Sequence, residues 1–248
     1  MNKISSVIIT LNEENNIREC LESLKWTDEI IIIDSHSKDR TVEIAKEYAA
    51  KIMITDELSF SKKRNLAFEN AVYDWIIWID ADERVPDELK QEILNVTSND
   101  MNRLDAYHIN RRSFFINRFI NHCGWYPDYT LRLFKRKLDL RFDESRVHEK
   151  LDYQGDPGKL KNDIIHYTDK DFEHYIKKLN SYTTSSSLDL KERGQKANIF
   201  DIIFRPVFTF IKMYFLRLGF VDGYTGLVLC TLSGIHVFLK YSKLYFMK

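Results

Sequence analysis

Trp75-Ile-Ile-Trp-Ile-Asp80-Ala-Asp82-Glu83 is the stretch on which the reading of the whole chain turns. Its unbroken Trp/Ile run reads as a strand buried on both faces, and it ends in a cluster of carboxylates. Upstream lie three more short apolar runs: Ser6–Thr10, Glu29–Asp34 and Lys51–Ile54. Helical patterns separate them. Ile17, Cys20, Leu21 and Leu24 follow helical spacing after Asn12, which is placed to cap that helix. Ser37 and Asp39 open a second helix reaching about Ala50, and Ser61–Ala71 reads as a third. Pro86 suits the first position of a fourth, with Asp87 and Glu88 complementing its dipole. Strand and helix alternating in this way predict an α/β fold with a mainly parallel sheet covered by helices on both faces. Ligands of such sheets bind beyond the carboxyl ends of the strands, where Thr10, Asp34 and Asp80 stand. From Tyr107 to about His166 the pattern loosens, with strand-like pieces at Ala106–Asn110 and Leu131–Phe134. Residues Asp169–Glu192 look helical, with Gly194 placed to end them.

Two carboxylates at i and i+2 leaving a strand can point to one side and share a divalent cation, so Asp80 and Asp82 are candidate metal ligands. A solvated acidic turn is the ordinary alternative. Thr10-Leu-Asn12-Glu13-Glu14 occupies the first strand-to-helix turn, where backbone N–H groups can hold a base or phosphate, or simply start a helix. Asp34-Ser-His-Ser-Lys-Asp39 follows the second strand, a usual place for an acid that binds a ribose or a base, and equally for a loop cap. Lys62, Lys63 and Arg64 can neutralise phosphates or form a basic helix face. His148 and His166 are each a candidate metal ligand or a structural histidine.

Together these segments resemble glycosyltransferase family 2, which has the GT-A fold. The resemblance rests on Val7-Ile-Ile-Thr-Leu-Asn-Glu-Glu14, Glu29-Ile-Ile-Ile-Ile-Asp34, Lys63-Arg-Asn65 and Trp78-Ile-Asp-Ala-Asp-Glu83. Trp125-Tyr-Pro-Asp-Tyr129, Leu131-Arg-Leu-Phe134 and Val147-His-Glu149 look like the branch that adds glucose to the lipopolysaccharide inner core. It implies an inverting transfer of a hexose such as glucose from a UDP-sugar to a lipopolysaccharide-core or other lipid-linked acceptor, with Mg²⁺ or Mn²⁺ as cofactor. The donor would be bordered by Thr10, Asn12, Glu13, Asp34, Lys63, Arg64, Asp80 and Ala81, with Asp34 facing the uridine and Asp82 the main metal ligand. One departure concerns the basic positions: Leu58 and Ser59 stand where many members carry an Arg. By the same pattern the base that deprotonates the acceptor hydroxyl is Glu149, with Asp128 as substitute.

The 248 residues carry 37 basic and 37 acidic side chains, a balance that argues against a nucleic-acid partner. The balance hides a +5 segment: from Lys196 onward there are seven Lys or Arg against Asp201 and Asp222. Gly223–Leu239 carries no Asp, Glu, Lys or Arg, yet at 17 residues it falls short of the ~20 a spanning helix needs. Basic charge with many aromatics predicts helices lying on an anionic membrane surface; a buried hairpin or a dimer interface is the alternative. The expected organisation is a catalytic domain at 1–195, with a donor half at 1–100 and an acceptor half at 101–195, and a helical tail at 196–248. Cys20, Cys123 and Cys230 lack metal or disulfide spacing, and the N-terminus lacks a signal-peptide pattern, so the expected location is the cytoplasmic face of the inner membrane. Two rivals remain from other classes. One is a haloacid-dehalogenase-type phosphohydrolase with Asp80 and Asp82 as nucleophile and acid, although Arg84 stands where that motif has Thr or Val. The other is a non-catalytic membrane scaffold.

Overall fold

A computed structural model describes residues 2–57, 59–98, 104–142, 151, 153–169 and 171–247. The chain forms two compact units, Met1–Arg111 with Asp128–His166, and Arg112–Pro127 with Tyr167–Lys248. The boundaries expected at 100 and 195 are not among these dividing positions. Residues 172–192 group with the tail because they form a helix that packs against the C-terminal helix.

In the first unit β1 (Ile4–Thr10), β2 (Glu29–Asp34), β3 (Lys51–Ile54) and β4 (Trp75–Asp80) are parallel. With β5 (Glu83–Arg84), β6 (Ala106–Phe115), β7 (Arg118–Phe119), β8 (Tyr129–Lys135) and β9 (Gly158–Asp169), the strand order is β3-β2-β1-β4-β8-β6-β9-β5, and β7 pairs with the end of β6. β8 runs antiparallel to both β4 and β6. The apolar runs are continuous because each strand feeds two cores by alternation. Ile30, Ile32, Trp75, Ile77 and Ile79 point into one core, and Ile31, Ile33, Ile76 and Trp78 into the other. The first core is closed by α1 (Ile17–Glu22), α2 (Thr41–Lys46) and α4 (Asp87–Ser98) through Ile17, Leu21, Ile44, Leu89 and Ile93. The second is closed by α3 (Phe60–Asn70) through Ala67 and Phe68.

The strand boundaries expected for β2, β3 and β4 are those observed. The helices differ more. α1 starts at Ile17, and Asn12 does not cap it; Asn12 sits in the left-handed region at φ 57° and serves the loop described below. α2 stops at Lys46 rather than near Ala50.

The second unit holds α5 (Phe172–Glu192), α6 (Ile199–Ile211), a π-helical continuation Lys212–Leu216, a tight turn Gly219–Asp222 and α7 (Gly223–Phe246). Phe115, Ile120, Cys123, Leu229, Cys230 and Leu232 make its core. Gly226 is dictated by close packing: a Cβ there would lie 2.0 Å from the Gly219 carbonyl oxygen. Lys240 and Lys243 do not end α7, so the uncharged run that begins at Gly223 is the first part of a 24-residue helix. Among the described residues, Gly219–Phe246 is the one segment long and apolar enough to cross a membrane, by length and composition.

Candidate active site

The carboxyl ends of β1 and β2 are locked together by side chains. Thr10 Oγ1 donates to Asp34 Oδ2 at 2.8 Å, and the fully buried Asp34 also accepts from the Ser37 backbone N–H at 2.8 Å. The two following loops are cross-linked. The Asn12 N–H donates to Ser37 Oγ at 2.8 Å, and the Lys38 N–H donates to Asn12 Oδ1 at 2.8 Å. The Glu13 N–H donates to Thr41 Oγ1 at 2.7 Å, and the Glu14 N–H to Asp39 Oδ2 at 3.0 Å. Backbone donors that a bare loop would leave to water are thus satisfied, so the rim beside Asp34 is held in one conformation.

Beyond β4 the chain turns through Asp80-Ala81-Asp82 and re-enters the sheet as β5, whose pairing with β9 sets Glu83 opposite His166. That register brings His166 Nε2 to 3.2 Å from Asp82 Oδ2, with the two side chains 14% and 24% exposed. Asp80 faces a different group. Its Oδ1 accepts from Arg64 Nη2 at 3.1 Å and its Oδ2 from Arg132 Nη2 at 3.3 Å. Burial opposes its ionisation, but the Arg132 and Arg64 guanidiniums outweigh burial and hold the Asp80 carboxyl well below the usual carboxylate range. Arg132 is 1% exposed, lies 3.6 Å from the centre of the Trp78 ring, and donates to the fully buried Glu83 Oε1 at 2.6 Å. Glu83 Oε2 in turn accepts from the Asp80 N–H at 2.9 Å. Burial pushes the Glu83 carboxyl up, against the pull of Arg132. Arg111 stands 3.7 Å from Glu83 and forks onto Asp128, Nη2 to Oδ2 at 2.7 Å and Nε at 2.9 Å.

The expected residues therefore divide. Thr10, Asn12, Glu13 and Asp34 build one rim, and Asp80, Ala81 and Asp82 build the turn after β4, which His166 meets from β9. Lys63 and Arg64, expected to meet phosphates, have protein partners: Lys63 Nζ reaches Ser35 Oγ at 2.9 Å and Arg64 reaches Asp80. His148 and Glu149 lie outside the described residues. Arg132, Glu83 and Arg111 were not singled out from the sequence. The available signal was an arginine inside the apolar run Leu131–Phe134, which must find a buried acid.

Among the described residues no group of three or more His, Cys, Asp or Glu side chains is placed to hold a metal by itself. Asp82 and His166 supply one carboxylate and one imidazole in direct contact. That donor pair fits a divalent ion whose other positions are filled by phosphate oxygens and water. Asp80 fits less well, since each of its oxygens already accepts from a guanidinium.

The glycosyl transferase family 2 profile matches residues 5–147. An uncharacterized glycosyltransferase of Rickettsia prowazekii is 31% identical over 254 residues, covering 98% of this chain and 87% of that protein. The lipopolysaccharide core biosynthesis glycosyltransferase LpsC of Rhizobium meliloti is 28% identical, covering 98% and 92%. Among solved structures, S. aureus TarS 1-349, crystallised in complex with UDP-GlcNAc, shares the fold with a TM-score of 0.55 at 16% identity, covering 95% of this chain and 81% of that one. The family match and the fold shared with TarS make this a glycosyltransferase of GT-A type. The chain belongs to glycosyl transferase family 2. The phosphohydrolase reading falls with that assignment.

Proposed function

We propose that the protein is an inverting, metal-dependent hexosyltransferase that uses a UDP-sugar and a lipid-linked glycan acceptor of the lipopolysaccharide-core kind. The observation that carries this reading is the Asp82–His166 pair in the turn after β4. The nucleotide is supported by TarS, solved with UDP-GlcNAc, and the acceptor by LpsC, named for lipopolysaccharide core biosynthesis. Asp34, fixed by Thr10 and Ser37, is assigned to the uridine side. Asp82 and His166 would hold the cation against the diphosphate, and when bound that cation offsets the charge growing on the leaving group.

In the transfer an acceptor hydroxyl oxygen bonds to the anomeric carbon as the bond to the diphosphate oxygen breaks, and UDP departs with that electron pair. The hydroxyl proton passes to a carboxylate. Glu149 is assigned this role and Asp128 is the substitute; the Arg111 fork holds Asp128 in place and competes for its lone pairs. Glu149→Gln is expected to lower turnover by about 10²-fold or more while leaving UDP binding intact, the usual scale for a lost general base. Steady-state transfer and UDP titration on the same variant check it. Near-normal turnover would move the role to Asp128, where Asp128→Asn would then show the loss. A lipid-linked acceptor places the enzyme at the cytoplasmic face of an anionic membrane, and the basic, aromatic tail is the segment assigned to that contact.

A further inference from the structure

We infer that the outer face of α6, and not the span-length α7, is the surface that enters the membrane, lying in the plane of an anionic leaflet. This rests on the membrane association proposed above and assigns it to one helix face.

Phe200, Ile203, Phe204, Val207, Phe208 and Ile211 recur at i, i+3, i+4, i+7, i+8 and i+11, and each is 43–61% exposed. Helical geometry puts these positions on one stripe. Six large side chains about half exposed amount to roughly 500 Å² of contiguous apolar surface, more than an ordinary solvated helix shows. The opposite side of α6 is covered. Ile202 is buried, and the helix approaches α7 so closely at Pro206 that a Cβ on Gly234 would lie 3.2 Å from the Pro206 carbonyl oxygen.

Charge identifies the occupant of the stripe. The one acid on α6, Asp201, is turned inward, where it caps the helix with Asn198 and pairs with Arg205. Lys196 precedes the stripe and Lys212 and Arg217 follow it, all exposed. An apolar stripe with cations at both ends and no free acid along it complements a leaflet carrying anionic headgroups. Even with its π-helical continuation to Leu216 the helix is only about 27 Å long and carries Arg205 and Lys212, short of a hydrocarbon core of about 30 Å but suited to lying in its surface.

α7 has the composition to span but is tied to a polar helix. Lys243 Nζ donates to Asn180 O, Asn180 Oδ1, Thr183 Oγ1 and Thr184 Oγ1 at 2.7–2.9 Å, and Ser187 Oγ donates to the Lys240 carbonyl at 2.8 Å. These partners lie on α5, which also carries Glu173, Lys177, Lys178, Asp189, Lys191 and Glu192. A spanning α7 would either break these bonds or drag that charge toward hydrocarbon.

The experiment is flotation of the full-length protein with vesicles of phosphatidylcholine containing phosphatidylglycerol, and with phosphatidylcholine alone. Wild type is expected to float with the anionic vesicles and to lose much of that binding at high salt. The double variant Phe204→Glu/Phe208→Glu, altered only at exposed positions, is expected to lose at least tenfold in partitioning. Ile235→Glu, on the exposed side of α7, is expected to stay within about twofold of wild type. Thermal stabilisation by UDP with Mn²⁺, measured on every variant, shows that each is folded and tests the transferase reading separately. Unchanged flotation of the α6 variant, a large loss for Ile235→Glu, or a wild type that does not float each overturns the inference. So does a concentration-dependent dimer, seen by sedimentation without lipid and abolished by the α6 substitutions, because the stripe would then cover a second copy.

Discussion

Asp82→Ala is expected to lower sugar transfer by at least about 10³-fold, equivalent to about 4 kcal/mol of transition-state stabilisation. Asp82 lies in the turn after β4 and meets His166 at 3.2 Å, whereas both oxygens of Asp80 accept from guanidiniums. Removing it leaves the imidazole alone to hold a cation against the donor. His166→Ala should fall in the same direction by about 10- to 100-fold, because one oxygen ligand and the diphosphate remain. Initial rates at saturating acceptor, with Mn²⁺ varied over several decades, check both. Added metal should partly rescue His166→Ala and should not rescue Asp82→Ala. A rate within threefold of wild type for Asp82→Ala would remove the metal role from this turn.

The second large effect is on stability. Arg132→Leu is expected to cost about 3–5 kcal/mol, the range for breaking a buried ion pair by removing one member. Arg132 is 1% exposed and Glu83 is fully buried, so the variant leaves a carboxylate in the sheet with its strongest partner gone. It also strips the cation from the Trp78 face and one guanidinium from Asp80. Arg132→Lys should recover only part of the loss, since an ammonium cannot stack its plane on indole while one nitrogen meets Asp80 and Glu83 and another the Trp78 carbonyl. In the double variant Glu83→Gln/Arg132→Leu the cost should be smaller than the sum of the singles, because no charge is left unpaired. Urea unfolding of the wild type, Arg132→Leu, Arg132→Lys, Glu83→Gln and the double variant provides the comparison. Additive costs would show that Arg132 and Glu83 are not energetically coupled.

Much of the sheet was legible because its strands are fully buried. A run such as Glu29-Ile-Ile-Ile-Ile-Asp34 has little alternative to a central strand, and residues alternating between two cores give no amphipathic period to confuse the reading. The carboxylate turn was legible for the same reason, as charges that interrupt an apolar run at a strand end. The partners of those charges were not. Arg132 meets Glu83 across 49 positions and Asp80 across 52, and no local pattern encodes such pairings. The place of His166 beside Asp82 depends on the two-residue strand Glu83–Arg84 pairing with Ile165 and His166, a register that no local pattern announces. Asn12 shows the limit of capping rules. A residue of the right type lay just ahead of a helical pattern, but its side chain was taken by the Lys38 N–H of the neighbouring loop, and the helix began later. The 17-residue uncharged run understates the helix that carries it, because Lys243 is accommodated by oxygens of α5 and the helix continues to Phe246.

The proposed cation site of Asp82 and His166 would couple a metal to a uridine diphosphate. Calorimetric titration of UDP into the full-length protein, once with Mn²⁺ and once with EDTA, tests it most directly. Binding is expected with Mn²⁺ and is expected to weaken by at least about 10-fold with EDTA, while Asp82→Ala should bind equally weakly in both. Equal affinity for UDP with Mn²⁺ and with EDTA in the wild-type protein would contradict it.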